Sequence, residues 1–508
     1  MPQPQLSAGH LSRRNFLQLW SLATAATLCD PRAFGQARVP QSRLASDTMR
    51  PQFHLMPARG WMNDPNGPIY AHGRYHIFCQ HNPEAAVWGN MSWAHMVSDD
   101  MIHWRHLPLA IAPTPNSIDS YGIFSGSCLI VGKRVYAVYT ATELSDAAHA
   151  TTRGKPNFRE SQRLAWSDDP MLLHWTKEPD AIVPTPPADL HEVTGFRDPS
   201  IWQQGGVYYM TVGAGESGKG GCVLIYSSRD LKRWSYLHKF AEGEWHGTVQ
   251  DDKVASGEMW ECPDFFALDG GHVLIYSTEG KVYWQSGKLD TETMRFQASK
   301  TGVLDLGTYY APKTQLDAHG NRILWGWIPE RRPESDTVAA GWAGVMSLPR
   351  VLHLDADGTL RMDTLPTLQA LRGAPVSVST SNLTQRVRLP KSNGEILATP
   401  APRVNAQCIV RNAADNTEIA AVHYDSATHR FHAGDQSFEL HATDTADIHL
   451  FADGSVLEFI LGHRAGCTRR FYLPNAPDLL IEMSGVAKAA AWPLRPISPD
   501  RLTTLPQA

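Results

Sequence analysis

Three acidic residues stand in surroundings where a carboxyl group can do chemistry. Asp64 lies in WMNDPNG, Asp198 in GFRDPSIW and Glu261 in MWECPDFF. Glu261 makes the strongest individual case. A carboxylate flanked by Trp260, Cys262, Pro263 and Phe265 is costly unless it is paired or protonated. Desolvated acids of this kind serve as general acids, bases or nucleophiles. Each also has a structural reading. Asp-Pro commonly starts turns, so WMNDPNG reads as a tight reversal behind an apolar pair, and Arg197-Asp198 reads as an ion pair. The case for chemistry is joint, because the acids are 134 and 63 residues apart.

That spacing has meaning only if the chain has a repeat, and it has one. MVSDDMIHW ends at Trp104, LAWSDDPMLLHW at Trp175 and IYSSRDLKRW at Trp234, with VYWQSGKLDTETMRF, ending at Phe296, as a degenerate fourth copy. Each is a β run, then a Ser/Asp turn, then an aromatic residue. Short alternating runs such as GRYHIFCQ, RVYAVYTA and HVLIYST fill the intervals, and helical periodicity is scarce. A β unit recurring every 59 to 71 residues predicts propeller blades. The Ser/Asp turn would join the outer strands, and the Trp would pack between blades. A propeller turns its inner strands to one axial channel, where acids about two blades and one blade apart can converge. A sandwich with similar hairpins is the alternative. After about residue 365 the repeat stops. VSVSTSNLTQRVRLP and the hairpin IHLFADGSVLEFILG, with Asp453-Gly454 as its turn, predict a β-sandwich. The expected fold is therefore all-β: a five-bladed propeller over 50–360, then a sandwich over 370–508.

Composition narrows the function class. The chain has 508 residues and a formal net charge of −5. It carries no basic stripe interleaved with aromatics, which argues against nucleic acid, and no run of 18 apolar residues that would span a membrane. Sixteen tryptophans hint at sugar, whose C–H faces stack on indole rings. Residues 1–37 have the layout of an export signal, with SRRNFL at Ser12–Leu17 resembling the twin-arginine type. The mature form is then expected to be periplasmic or extracellular. No metal-type Cys or His spacing occurs, and no cofactor is implied. Cys408 and Cys467 share the C-terminal region, where pairing or free thiols are both open.

The motifs WMNDPNGP, FCQHNP, VWGNMSWAH, FSGS, FRDPS and WECPDFF, in this order, resemble glycoside hydrolase family 32, the invertases, inulinases, levanases and related fructosyltransferases. The resemblance continues through YYAPKT, ILWGWIPE, GWAGVMSLPR and FADGSVLEF, and PEAAVWGNMSWAH is closest in texture to plant-type acid invertases. It implies a five-bladed propeller with a sandwich and retaining cleavage of β-fructofuranosides. Carried over by motif, Asp64 is the nucleophile, Glu261 the general acid and then base, and Asp198 the binder of ring hydroxyls. Arg197 would help to keep Asp198 ionised. Asn63, Gln80 and Ser125 would grip hydroxyls, and Trp61, Trp88, Phe124 and Trp327 would supply apolar walls. FSGS also reads as a simple strand-end turn. The competing readings are a transferase using the same intermediate, an inverting glycosidase on a related scaffold such as an arabinanase, and a non-catalytic sugar-binding propeller.

Overall fold

The computed structural model describes residues 38–475 and 477–498. The proposed export signal lies outside them. Among the described residues, no helix is long and apolar enough to cross a membrane.

Up to residue 364 the chain folds into five successive antiparallel sheets, each with its strands in chain order. Sheet I starts with Gly60–Ala71, sheet II with Gly122–Val131, sheet III with Val193–Gln204, sheet IV with Glu261–Leu268 and sheet V with Tyr310–Leu316. Each of these first strands contacts the first strand of the next sheet, and that of sheet V contacts that of sheet I. The five first strands thus close a ring, which is a propeller's inner channel. Trp342–Ala343, from the sheet V region, pairs in parallel with Gly60–Trp61 of sheet I and helps to fasten the ring.

The repeated Ser/Asp turn does the same local work in three sheets. Ser98, Ser167 and Ser228 end the third strands, and Asp100, Asp169 and Asp230 accept backbone N–H groups of the turn. Three residues before each tryptophan the backbone is left-handed, at Met101, Leu172 and Leu231. Each carbonyl there accepts the indole N–H of the tryptophan that follows, at 2.8–3.1 Å. The rings then face the neighbouring sheet. Trp104 meets Trp325 of sheet V edge-on with centroids 5.5 Å apart, and Trp175 meets Phe78 of sheet I at 5.8 Å.

Beyond residue 378, a seven-stranded and a five-stranded antiparallel sheet enclose a second apolar core. Cys408 and Cys467 are both buried in it as free thiols, so they are not paired. The FADGSV hairpin turns at Gly454-Ser455, one residue later than the sequence predicts, with Gly454 at a φ of 61°. Asp453 is a strand residue with a different task. Its carboxylate accepts the backbone N–H groups of Gln52, Phe53 and His54, tying the start of the propeller to the sandwich.

Candidate active site

One irregularity recurs in all five inner strands. The inner strands of sheets I and III each carry a second register shift elsewhere, but all five share a point where two inner residues face a single partner residue. The two are Asn63-Asp64, Phe124-Ser125, Asp198-Pro199, Cys262-Pro263 and Ala311-Pro312. Such a bulge bends a strand and re-aims its side chains. In three sheets its second residue is a proline, which has no N–H to lose from the ladder. Its first residue there is left-handed, with φ of 66° at Asp198, 50° at Cys262 and 47° at Ala311. Left-handed residues with a Cβ cost about 1–3 kcal/mol each and cluster at functional sites. WMNDPNG is therefore no reversal: it runs within the first strand of sheet I, with the bulge at Asn63-Asp64. FSGS likewise lies inside a strand.

The bulges bring the three acids around one residue, Cys262. Its Sγ is 3.5 Å from Asp64 Oδ2 and 3.5 Å from Asp198 Oδ2, and its backbone N–H donates to Asp198 Oδ2 at 2.9 Å. Glu261 precedes it in the chain. Asp64 is fixed by three further donors: Asn63 Nδ2 at 3.0 Å, Gln80 Nε2 at 3.3 Å and Ser125 Oγ at 2.6 Å. Ser125 is fully buried and also accepts from Gln80 Nε2, so both side chains are engaged in holding Asp64. The Asp198 backbone N–H donates to Thr140 Oγ1 at 2.8 Å. Gln80 and Thr140 are the single residues that face the bulges of sheets I and II.

Glu261 is held at both oxygens. Arg197 donates to Oε1 from Nε at 3.1 Å and Nη2 at 2.8 Å, and Tyr310 Oη donates to Oε2 at 2.7 Å. Arg197, Glu261 and Tyr310 occupy the same place, just before the bulge, in three successive sheets. The remaining Arg197 nitrogen, Nη1, donates to Glu160 Oε1 at 3.1 Å. The expected Arg197–Asp198 pair is present but long, and Arg197 does favour the ionised form of Asp198. Arg197 Nε stands 4.0 Å from Asp198, and the guanidinium is committed to Glu160 and Glu261. Burial raises the pKa of Asp198 despite Arg197, and the Asp64 charge adds to the rise. Burial also raises Glu261. Arg197 opposes that shift, Asp198 reinforces it, and Tyr310 opposes it.

Aromatic rings flank the acids. Trp61 meets Trp327 edge-on with centroids 6.1 Å apart, Trp327 meets Tyr310 at 6.5 Å, and Trp61 Nε1 donates to Asn63 Oδ1 at 2.9 Å. Trp88 and Phe124 form a second edge-on pair at 5.7 Å. Tyr310, Glu160 and Thr140 are not among the residues that the sequence singles out. For Tyr310 a signal was present. Arg197-Asp198-Pro199, Glu261-Cys262-Pro263 and Tyr310-Ala311-Pro312 share a proline two residues on, and aligning them puts Tyr310 in register with the other two.

Buried carboxyls of unequal environment, one held by a cation and a phenol and another by neutral donors, are suited to general acid–base and nucleophilic chemistry. Comparison with known proteins agrees. Residues 54–364 match the glycosyl hydrolases family 32 N-terminal domain. A sucrose-6-phosphate hydrolase of Escherichia coli is 31% identical over 487 residues, covering 88% of this chain and 95% of its own. A cell-wall β-fructofuranosidase of Zea mays is 35% identical over 373 residues, covering 67% of this chain and 59% of its own. The structure of a family 32 β-fructofuranosidase from Bombyx mori matches with a TM-score of 0.75 at 26% identity, over 95% of this chain and 98% of that one. The chain belongs to glycosyl hydrolase family 32, and it is a glycosidase with a propeller followed by a sandwich.

Proposed function

We propose that the protein is a retaining β-fructofuranosidase that removes terminal fructosyl units from sucrose or from inulin- or levan-type fructans. Residues 50–360 are the catalytic unit and 370–508 the accessory sandwich. Asp64 is the nucleophile. Glu261 gives its proton to the glycosidic oxygen as the bond to the anomeric carbon breaks, and Asp64 captures that carbon as an ester. Glu261 then takes a proton from water, which attacks the same carbon and releases Asp64. Asp198 holds ring hydroxyls, and Asn63, Trp61, Trp88, Phe124 and Trp327 shape the fructose pocket. Arg197, Gln80 and Ser125 act behind them by fixing the carboxylates.

The observation that carries this reading is the contrast between the two acids. Asp64 accepts three hydrogen bonds from neutral donors, which fixes its carboxylate for attack. Burial and Asp198 push Glu261 toward the protonated form that an acid needs. Retention further requires the two carboxyls to lie about 5–5.5 Å apart. Relatives named for hydrolysis of sucrose-6-phosphate and for β-fructofuranosidase activity support the substrate class. Plant cell-wall relatives and the SRRNFL segment support export of the mature form.

The test is incubation of the protein with sucrose, inulin and levan separately, followed by product analysis. Free fructose from one or more of them is expected, and oligofructan accumulation at high sucrose would instead mark a transferase. Asp64→Ala and Glu261→Gln should both abolish most of the release. A Glu261→Gln protein that hydrolyses sucrose as fast as the parent would remove Glu261 from its assigned role.

A further inference from the structure

A cavity of about 330 Å³ opens where the last strand of sheet V meets the outer face of the five-stranded sandwich sheet. It shares no residue with the carboxylate site. Its volume falls at the lower end of the range for small-molecule sites, which favour domain junctions. The floor is aliphatic, with Leu397, Ile460 and Ala490 facing the space. The walls carry Thr399, Asp447, His449 and Lys488.

Two features distinguish this space from a packing defect. The first is the strand Val486–Trp492, which contributes Lys488, Ala489 and Ala490 to the lining and continues with a third alanine, Ala491. Alanine is a poor strand former, and a half-buried strand ordinarily carries β-branched or aromatic residues. A larger side chain at 490, which pairs with Leu397 on the cavity side of the sheet, would fill the space, and this sequence keeps it open. The second feature is the charge pattern. His463 joins Asp363 of sheet V to the sandwich by a short hydrogen bond and also lies 3.7 Å from Asp447. Lys488 is exposed and has no hydrogen-bond or ion-pair partner among the described residues. Two carboxylates, an imidazolium and an ammonium leave the walls close to neutral. They offer both donors and acceptors around an apolar floor.

We propose that this cavity is a second, non-catalytic binding site for a small neutral sugar of one or two rings. A C–H face would rest on Leu397, Ile460 and Ala490, and hydroxyls would meet Thr399, Asp447 and Lys488. A strongly anionic ligand is disfavoured by Asp363 and Asp447, and a hydrocarbon by the polar walls. Because Asp363 and His463 bridge sheet V and the sandwich, a sugar held here would also brace that junction.

The test uses the full chain with Asp64→Ala, so that sucrose is bound but not turned over. Calorimetric titration with sucrose and with fructose is expected to resolve two binding events. Adding Ala490→Trp fills the cavity and should abolish one event while sparing the other. Lys488→Glu, an exposed change that leaves the fold intact, should weaken the same event several-fold. Events that all survive both changes, whether one or two, overturn the proposal. A single event that Ala490→Trp abolishes leaves the cavity standing and counts against the catalytic reading.

Discussion

Among single residues, Tyr310 is the most instructive. In the role proposed for it, Glu261 must be protonated to donate and ionised to act as a base, so its environment has to keep both forms accessible. Burial and Asp198 push it up to about 7, while Arg197 and the Tyr310 hydroxyl pull the other way. A hydrogen bond donated to a carboxylate stabilises the ionised form, so removing it raises the pKa further. Tyr310→Phe should therefore shift the alkaline limb of the kcat profile to higher pH and lower the maximum several-fold. A profile on sucrose checks this, and an unmoved limb would mean that Tyr310 does not influence the proton. Glu261→Gln should cost roughly 10²–10⁴-fold in kcat, the usual worth of a positioned general acid, with a smaller effect on KM. Formate or azide that restores part of the Glu261→Gln rate would tie the loss to the missing acid. The acids themselves were legible in the sequence because apolar and turn-forming neighbours mark a carboxyl that is not simply solvated. The closer partners of Arg197 were not legible. Local sequence puts Arg197 beside Asp198, but the bulge turns it across the inter-sheet gap to Glu160 and Glu261, which lie 37 and 64 positions away.

The element that governs the site is the bulge near the start of each inner strand. Asp, Pro, Asn and Gly together suggest a reversal from sequence, because every one of them favours turns. In the fold the same residues stay within a strand and supply the extra residue, the missing N–H or the left-handed backbone that a bulge needs. The repeat itself was legible, since Ser, Asp and Trp at fixed offsets build one turn three times over. The offset of the FADGSV turn was not, because Asp453 is spent on three backbone N–H groups that are some 400 positions earlier. Packing between sheets III and IV then sets where Glu261 begins. Gly221 lies against the ring of Trp260, which stacks on Tyr276 at 3.8 Å, and a Cβ at 221 would collide with that indole. Gly221→Ala is expected to displace Trp260 and, with it, Glu261. A misplacement of about 1 Å can cost roughly 10²-fold in rate, so kcat on sucrose should fall by about that factor in a protein that still unfolds cooperatively. Unchanged kcat would show that the Trp260 stack does not position the acid.

At the scale of the whole molecule, buried histidines bound the pH range in which the fold is strongest. His54 sits between Asp453 and Glu458 at 2.8 and 2.9 Å, where propeller and sandwich meet. Burial alone would lower its pKa, but hydrogen bonds to both carboxylates outweigh burial and raise it to about 9. Its contribution is fully present below about pH 6.5 and is lost as pH rises through about 9. Sheet I does the opposite. His76 and His95 are buried against each other, Nδ1 to Nε2 at 3.0 Å. Burial lowers His76 to about 4, helped by His72, and it lowers His95 as well, helped by His76. Both are neutral in the fold, while an unfolded chain protonates them below about 6.5. As pH falls from about 6.5 to about 4 the unfolded state therefore binds more protons at His76, His95 acts in the same direction, and stability falls with pH. Urea unfolding at a series of pH values should place maximal stability between about pH 6.5 and about 9, with a steep acid limb. His95→Gln should destabilise the protein at neutral pH, because the repacked pair loses its fit. It should also flatten the acid limb by about one histidine's share. An acid limb of unchanged slope in His95→Gln would assign the acid sensitivity to groups outside sheet I's buried pair.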